Sequence, residues 1–373
     1  MRILLLSHNL TNGGAERVAS LWANGFSKKG HNVFFVVSCR KDCCQTYQLN
    51  SNVIRENIYN SIFNRLYRWF GFDFLYVYRL SRIIKRVKPH VIIGITAKRS
   101  ELARKAIGEM KIPIINTEHN ALELPDYVDS NRKKDLKNRS FKFGRYDYMT
   151  VLTSADFICL KDLSTPHSVL PNPLTYKPIL KLPAKEKIIL AAGRLNVWWI
   201  KGFDVLIKAW GKISSEFPDW KLQIAGNDHN GAREKLKKIA VENGVERQIE
   251  FLGFQNDMLP IYRRSSIFVL SSRIEGFGMV LIEAMSQGCA PIACDYKGRQ
   301  REIIVDNSQG IICPVDDVEA LAFAIKKMII NDDYRKMVQQ NAIERSKYYS
   351  LDNTIKRWDL IFEELGLNSR YCK

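Results

Sequence analysis

Two glutamates eight positions apart, Glu275 and Glu283, are the residues whose types and spacing first suggest chemistry. The first lies on a Gly276-Phe277-Gly278 turn. The second lies among Leu281, Ile282, Ala284 and Met285, where a carboxylate without a partner is expensive. The run Ile267-Phe268-Val269-Leu270 before them reads as a buried parallel strand, and a helix is expected to start near Met279. Eight helical residues span about 12 Å, which gives the pair the reach to hold both ends of an elongated polar ligand. Free N–H groups at the helix start, between the two carboxylates, suit an anion such as a diphosphate. The plainer reading is a strand-turn-helix with solvated glutamates.

Other polar groups follow predicted strands in the same way. Ile188–Ala191 runs into Gly193-Arg194, and Lys201-Gly202 comes seven residues later. A guanidinium offers phosphate a planar fork and an ammonium a point charge; solvated surface charges are the alternative. Gly226 and Phe254 follow the strands Leu222–Ile224 and Ile249–Leu252. In the first half, Gly13-Gly14 opens an amphipathic helix, either to bring backbone amides to a phosphate or as a tight turn needing positive φ. Glu118-His119 ends the predicted strand Ile112–Ile115. Neither GxGxxG nor GxxxxGK[ST] occurs, so a dinucleotide fingerprint or P-loop is not supported.

The elements that must position these residues alternate strand and helix throughout. Further strands are expected at Ile3–Leu6, Val33–Val37, Val91–Ile95, Tyr148–Leu152, Ala290–Ala293 and Gly310–Cys313. Sustained alternation over 373 residues argues for α/β architecture with two doubly wound parallel sheets. The join is expected in the proline-rich stretch from Pro171 to Pro183, giving domains 1–172 and 173–350, with 351–373 a C-terminal helix free to return to the first domain. Ligands of such sheets bind outside the carboxyl ends of the strands. A hydrophobic fraction of 46% with 26% charged residues excludes a disordered or fibrous chain. No apolar run is long enough to span a bilayer. Eight cysteines, with no CxxC pair and no histidine at ligand spacing, read as reduced thiols of a cytoplasmic protein rather than a zinc site. Asp316-Asp317 and Asp332-Asp333 read as helix-start residues, so no metal site is expected.

Taken together, Gly193-Arg194, Lys201-Gly202, Ala225-Gly226, Leu252-Gly253-Phe254 and Glu275-Gly276-Phe277-Gly278 with Glu283 resemble the retaining nucleotide-sugar glycosyltransferases of family 4. The first-half Asn12–Arg17 and Val169–Asn172 segments, and Gly310 through Leu321, are similar to that family as well. The resemblance implies the GT-B fold, two Rossmann-like domains facing across a cleft. It implies that Glu275 contacts donor-sugar hydroxyls, that Glu283 holds the ribose, and that Arg194 and Lys201 bind the diphosphate. Gly14 would direct backbone amides toward that diphosphate, and His119 would match a histidine of the acceptor domain near the donor sugar. Gly193, Gly226, Phe254, Gly276, Phe277, Gly278 and Met279 complete the implied donor site. Catalysis would be electrostatic, by Arg194 and Lys201 on the leaving phosphate, with no metal or other cofactor. Where many members carry a glycine-proline-rich loop, this chain has Asp295–Glu302 with extra basic residues suited to an acceptor or lipid phosphate.

The net charge of +18 is uneven. Residues 1–180 hold 28 Lys+Arg against 14 Asp+Glu, whereas residues 181–373 hold 29 against 25, so +14 belongs to the first half. Within it, residues 60–90 interleave Phe63, Tyr67, Trp69, Phe70, Phe72, Phe74, Tyr76 and Tyr78 with arginines and lysines, and a second basic stretch covers 132–145. This pattern suits an anionic membrane surface; a partly buried aromatic helix with a basic face is the alternative. No nucleic-acid module is recognisable. The expectation is a peripheral enzyme of the inner membrane face, moving sugar from a UDP-sugar to a lipid-linked or envelope polysaccharide acceptor such as lipopolysaccharide or capsule. The rivals are a nucleotide-sugar epimerase or hydrolase on the same fold, and a non-enzymatic basic protein binding membrane or nucleic acid.

Overall fold

The computed structural model describes residues 1–11, 13–38, 47–58 and 73–367. Those residues divide into two compact units, Met1–Pro173 with the segment from Leu351, and Leu174–Ser350.

The first unit holds a seven-stranded parallel sheet. In chain order its strands are β1 (Arg2–Ser7), β2 (Asn32–Val37), β3 (Ile54–Asn57), β4 (Val91–Ile95), β5 (Ile114–Thr117), β6 (Tyr148–Val151) and β7 (His167–Val169), arranged β3-β2-β1-β4-β5-β6-β7. The second unit holds β8 (Glu186–Ala192), β9 (Lys221–Ala225), β10 (Ile249–Gly253), β11 (Ser265–Leu270), β12 (Ala290–Cys294) and β13 (Ile311–Cys313), arranged β10-β9-β8-β11-β12-β13 and again parallel. Both are Rossmann-like orders, growing outward in one direction and then in the other from the first strand. The reversal falls between β1 and β4 in one sheet and between β8 and β11 in the other.

Near-continuous apolar runs explain the central strands, since a parallel strand covered by helices on both faces has no solvent side. Every residue of β11 and of β12 is buried. Two edge strands, β3 and β7, lie outside the expected set. Their sequences, IREN and HSV, present no apolar run, because an edge strand is only half enclosed. Strand β5 extends beyond the expected Ile112–Ile115, through Asn116 and Thr117, both fully buried. Those polar residues are accommodated because Ser100 Oγ donates to Asn116 Oδ1 at 2.7 Å and Thr117 Oγ1 donates to the Gly94 carbonyl at 3.1 Å.

The helix Leu351–Glu364 belongs to the first unit, where Trp358 meets Trp22 and Phe26 edge-on at 5.1 and 5.5 Å. Trp22 and Phe26 lie on the helix Gly14–Lys28 that follows β1. Gly25 of that helix leaves the room that Ile355 fills. Among the described residues no helix is long and apolar enough to cross a membrane.

Candidate active site at the switch point of the second sheet

Arg194 and Lys201 follow β8, and Glu275 follows β11, so the chain places all three at the carboxyl ends of the two strands where the sheet order reverses. Strand β8 ends with the Gly193 N–H bonded to the Ala225 carbonyl at 2.9 Å. A side chain at Gly226 would overlap the Gly193 carbonyl oxygen, so the glycine there is needed for close passage of the β8 and β9 exits. After Arg194 the chain makes a 3₁₀ turn, Leu195–Val197, and returns so that Lys201 N–H bonds the Val197 carbonyl at 3.0 Å. Gly202, at φ +63°, then starts the helix Phe203–Gly211. The return lays Lys201 against the β8 end: a methyl group on Gly193 would touch Lys201 Cγ and Cδ at 3.3 Å.

Lys201 Nζ lies 2.7 Å from Glu275 Oε2, which also accepts from Ser272 Oγ at 3.2 Å. The side chains of Lys201 and Glu275 are only 19% and 14% exposed, enough enclosure for the pair to resist screening by salt. Arg194 is different. It is exposed, and its guanidinium has no hydrogen-bond or ion-pair partner among the described residues. The site therefore offers one fixed cation, one carboxylate and one uncommitted planar fork.

The helix Met279–Ser286 begins after Gly278, whose φ of +97° only glycine adopts without strain. Between the two glutamates only Met279 to Glu283 is helical, a rise of about 6 Å. The expected 12 Å of helix is thus corrected: half of the interval is the Gly-Phe-Gly turn. Phe277 is buried, its ring edge-on to Tyr349 at 5.5 Å, so its side chain packs the turn. Glu283 is 2% exposed and accepts from Thr175 Oγ1 at 2.6 Å and Tyr262 O–H at 3.1 Å. Burial, then Glu283 itself, push the Tyr262 hydroxyl pKa well up, which keeps it a donor to that carboxylate. Phe254, after Gly253 at φ +69°, is 46% exposed.

Gly14 and His119 lie in the first unit. Gly13 is the cap of the helix Gly14–Lys28 at φ −113°, and neither glycine takes a positive φ. What Gly13 supplies is room, because a side chain there would overlap the Glu16 carboxylate. His119 Nε2 is 2.9 Å from Thr117 Oγ1, and the ring lies 5.6 Å from that of Trp22. Burial lowers its pKa to about 4, against a smaller opposite effect of Asn172. The ring is then neutral at pH 7. Because the folded value lies below the unfolded 6.5, the unfolded chain binds more protons between pH 6.5 and 4, and stability falls as pH drops through that window. Comparison of urea midpoints at pH 7 and 5 is expected to show a larger loss for the wild type than for His119→Asn; an equal loss would refute the low pKa. Beside it, Glu118 is enclosed and paired with Arg139.

Two family profiles together match residues 12–345 of this chain. One, described as glycosyl transferases group 1, matches residues 174–345, and the other, glycosyltransferase family 4, matches residues 12–174. The chain belongs to glycosyltransferase family 4. It is similar to an uncharacterized glycosyltransferase of Haemophilus influenzae, 26% identical over 93% of this chain and 95% of that protein. It is also similar to the Campylobacter jejuni GalNAc-alpha-(1->4)-GalNAc-alpha-(1->3)-diNAcBac-PP-undecaprenol alpha-1,4-N-acetyl-D-galactosaminyltransferase, 24% identical over 98% of this chain and 99% of that one. Among solved structures, Anabaena HepE in complex with UDP and glucose superimposes with a TM-score of 0.74 at 18% identity, covering 98% and 99% of the two chains.

The chain is thus a glycosyltransferase enzyme with the GT-B fold. For this family 4 member, the structure adds residues that the linear pattern did not single out: Ser272 and Arg273 in the turn before Glu275, and Thr175 and Tyr262 around Glu283. Asp317 is a helix-start residue, accepting from the Ala320 N–H at 2.8 Å, whereas Asp316 instead reaches Arg273. Among the described residues no group of three or more His, Cys, Asp or Glu side chains is clustered as metal ligands would be.

Proposed function

We propose that this glycosyltransferase moves a sugar from a UDP-sugar to a lipid-linked or envelope saccharide, retaining the configuration at the anomeric carbon. The observation that carries the reading is the exposed Arg194, without a partner among the described residues, next in the chain to Gly193, against which Lys201 of the Lys201–Glu275 pair packs at the switch point of the second sheet. As the bond from the anomeric carbon to the diphosphate breaks, negative charge grows on the departing phosphate. Arg194 and Lys201 meet that charge, aided by the N–H groups at the start of the helix Met279–Ser286. Lys201 then exchanges its Glu275 oxygen for phosphate, and Glu275 accepts hydrogen bonds from the donor-sugar hydroxyls. The acceptor hydroxyl attacks from the face that the leaving group vacates, and the departing phosphate takes its proton. On this route the cations do the work of a metal, and Glu283 orients the ribose end from its buried anchor. The UDP assignment is supported by the ligand of the similar Anabaena protein, and the lipid-linked acceptor by the name of the Campylobacter relative.

An anionic surface is the proposed setting, on the cytoplasmic side of the membrane. The helix Ser130–Ser140 buries none of its residues and carries Arg132, Lys133, Lys134, Lys137 and Arg139, with Phe141 84% exposed just after it. A groove of about 610 Å³ lies along Phe74, Val77, Tyr78, Lys85, Lys105 and Met110. Tyr76, by contrast, is core, and Phe63, Arg65, Tyr67, Arg68, Trp69, Phe70 and Phe72 lie outside the described residues.

The test is a donor panel of UDP- and GDP-sugars, read first as thermal stabilisation and then as transfer of radiolabelled sugar into a lipid extract. Stabilisation by UDP-sugars and labelled glycolipid are expected. No stabilisation by any nucleotide would sink the donor site. An epimerised or free sugar in place of a glycan would favour the epimerase or hydrolase reading.

A further inference from the structure

Arg273 carries a charge yet is 7% exposed, and it lies two residues before Glu275. Its Nη1 and Nη2 donate to Asp204 Oδ1 and Oδ2 at 2.7 and 2.8 Å. Its Nε reaches Asp316 Oδ1 at 2.5 Å, and Nη1 also donates to the Trp199 carbonyl at 2.5 Å. The guanidinium lies 4.7 Å from the centre of the Trp199 ring. Trp199 precedes Lys201 by two residues, Asp204 follows it by three, and Asp316 comes just after β13. One side chain thus gathers the segments that leave β8, β11 and β13.

Backbone contacts tighten the same seam. The Arg273 N–H bonds the Ile200 carbonyl at 2.8 Å, and Ser271 Oγ donates to the Lys201 carbonyl at 2.9 Å. Lys201 and Glu275 project from the two sides of this seam, so the distance between their charged ends follows its spacing. Resting on the donor-site reading above, we propose that Arg273 is a positioning residue: its fork on Asp204, Asp316 and Trp199 sets where Lys201 meets the donor diphosphate. It acts through Lys201 and touches no substrate. A lysine in its place keeps the charge but has no planar fork for a bidentate carboxylate, and misplacing a catalytic group by about 1 Å can cost on the order of 10²-fold in rate. A purely structural ion pair would lower stability without acting through Lys201.

A mutant cycle on UDP affinity, measured by calorimetry on the full chain, separates the two. Arg273→Lys and Lys201→Met are each expected to weaken UDP binding about ten-fold, and the double variant to be scarcely weaker than Lys201→Met, because the two changes remove one interaction. Should Arg273→Lys fail to fold, Asp316→Gly carries the same cycle. Residue 316 sits at φ +63°, where glycine is at ease, so that substitution removes the Nε partner without backbone cost. A three-fold or greater loss of UDP affinity, absent in the Lys201→Met background, is expected from it. Multiplying losses, about hundred-fold for the Arg273→Lys double variant, or UDP binding unchanged by both Arg273→Lys and Asp316→Gly, would overturn the proposal. A wild type that binds neither UDP nor GDP would instead overturn the donor site itself, and the inference with it.

Discussion

Replacing Arg194 by alanine is expected to lower the rate of sugar transfer about 10²–10³-fold, the size seen when one preorganised donor to a developing anion is removed. Stability should hardly change. The side chain is exposed and has no partner among the described residues, and surface substitutions of that kind usually stay within about 0.5 kcal/mol. Arg194→Lys should recover part of the rate, since a point charge returns without the fork. The measurement is the initial rate of labelled sugar transfer at saturating donor, with the urea midpoint as control. Transfer at the wild-type rate would remove Arg194 from the mechanism. Lys201 is a less clean probe, because its loss also strands the Glu275 carboxylate with which it pairs.

Gly202→Ala should damage both fold and site. At φ +63° a side chain costs about 1–2 kcal/mol. The added methyl also overlaps the Ser271 carbonyl oxygen, and backbone shifts forced by overpacking cost about 1–3 kcal/mol more. A destabilisation of about 2–5 kcal/mol is expected as the sum, with UDP affinity falling because Lys201 is the preceding residue. Gly231→Ala is the comparison: it has φ +71° and nothing within 4 Å of an added Cβ, so only the conformational cost applies. Equal losses of urea midpoint for the two variants would show that close approach at Gly202 contributes nothing.

Much of this arrangement was legible residue by residue. Apolar runs such as Ile267–Leu270 mark strands enclosed on both faces, and Gly193, Gly226 and Gly253 mark the exits of three of them. The sequence accordingly puts Gly193-Arg194 and Glu275–Gly278 at strand ends, where the structure has them. Legibility failed where the apolar signal was absent: IREN and HSV became edge strands, and Asn116-Thr117 extended β5 on hydrogen bonds from partners distant in sequence. The helical share of the interval between Glu275 and Glu283 is not legible for another reason. Glycine permits a turn at Gly276-Phe277-Gly278 but does not reveal how much of the interval the turn occupies. Gly13-Gly14 suits a phosphate approach or a positive-φ turn, and it is the turn that the structure corrects: φ at Gly13 is −113°, neither glycine is positive, and a side chain at Gly13 would overlap Glu16.

Two parallel α/β sheets, and the charged residues at their strand ends, are legible in the chain because burial periodicity and glycine punctuation are local properties. Which of those residues meet is settled by the packing of distant segments. Lys201 faces Glu275, and Arg273 grips Asp204 and Asp316, because β8 lies next to β11 in the sheet although two strands intervene in the chain. That adjacency is a matter of strand order, which local periodicity does not encode. Packing outside the strands likewise brings Thr175 and Tyr262 to Glu283, so that a carboxylate whose burial would be expensive alone has a donor on each oxygen.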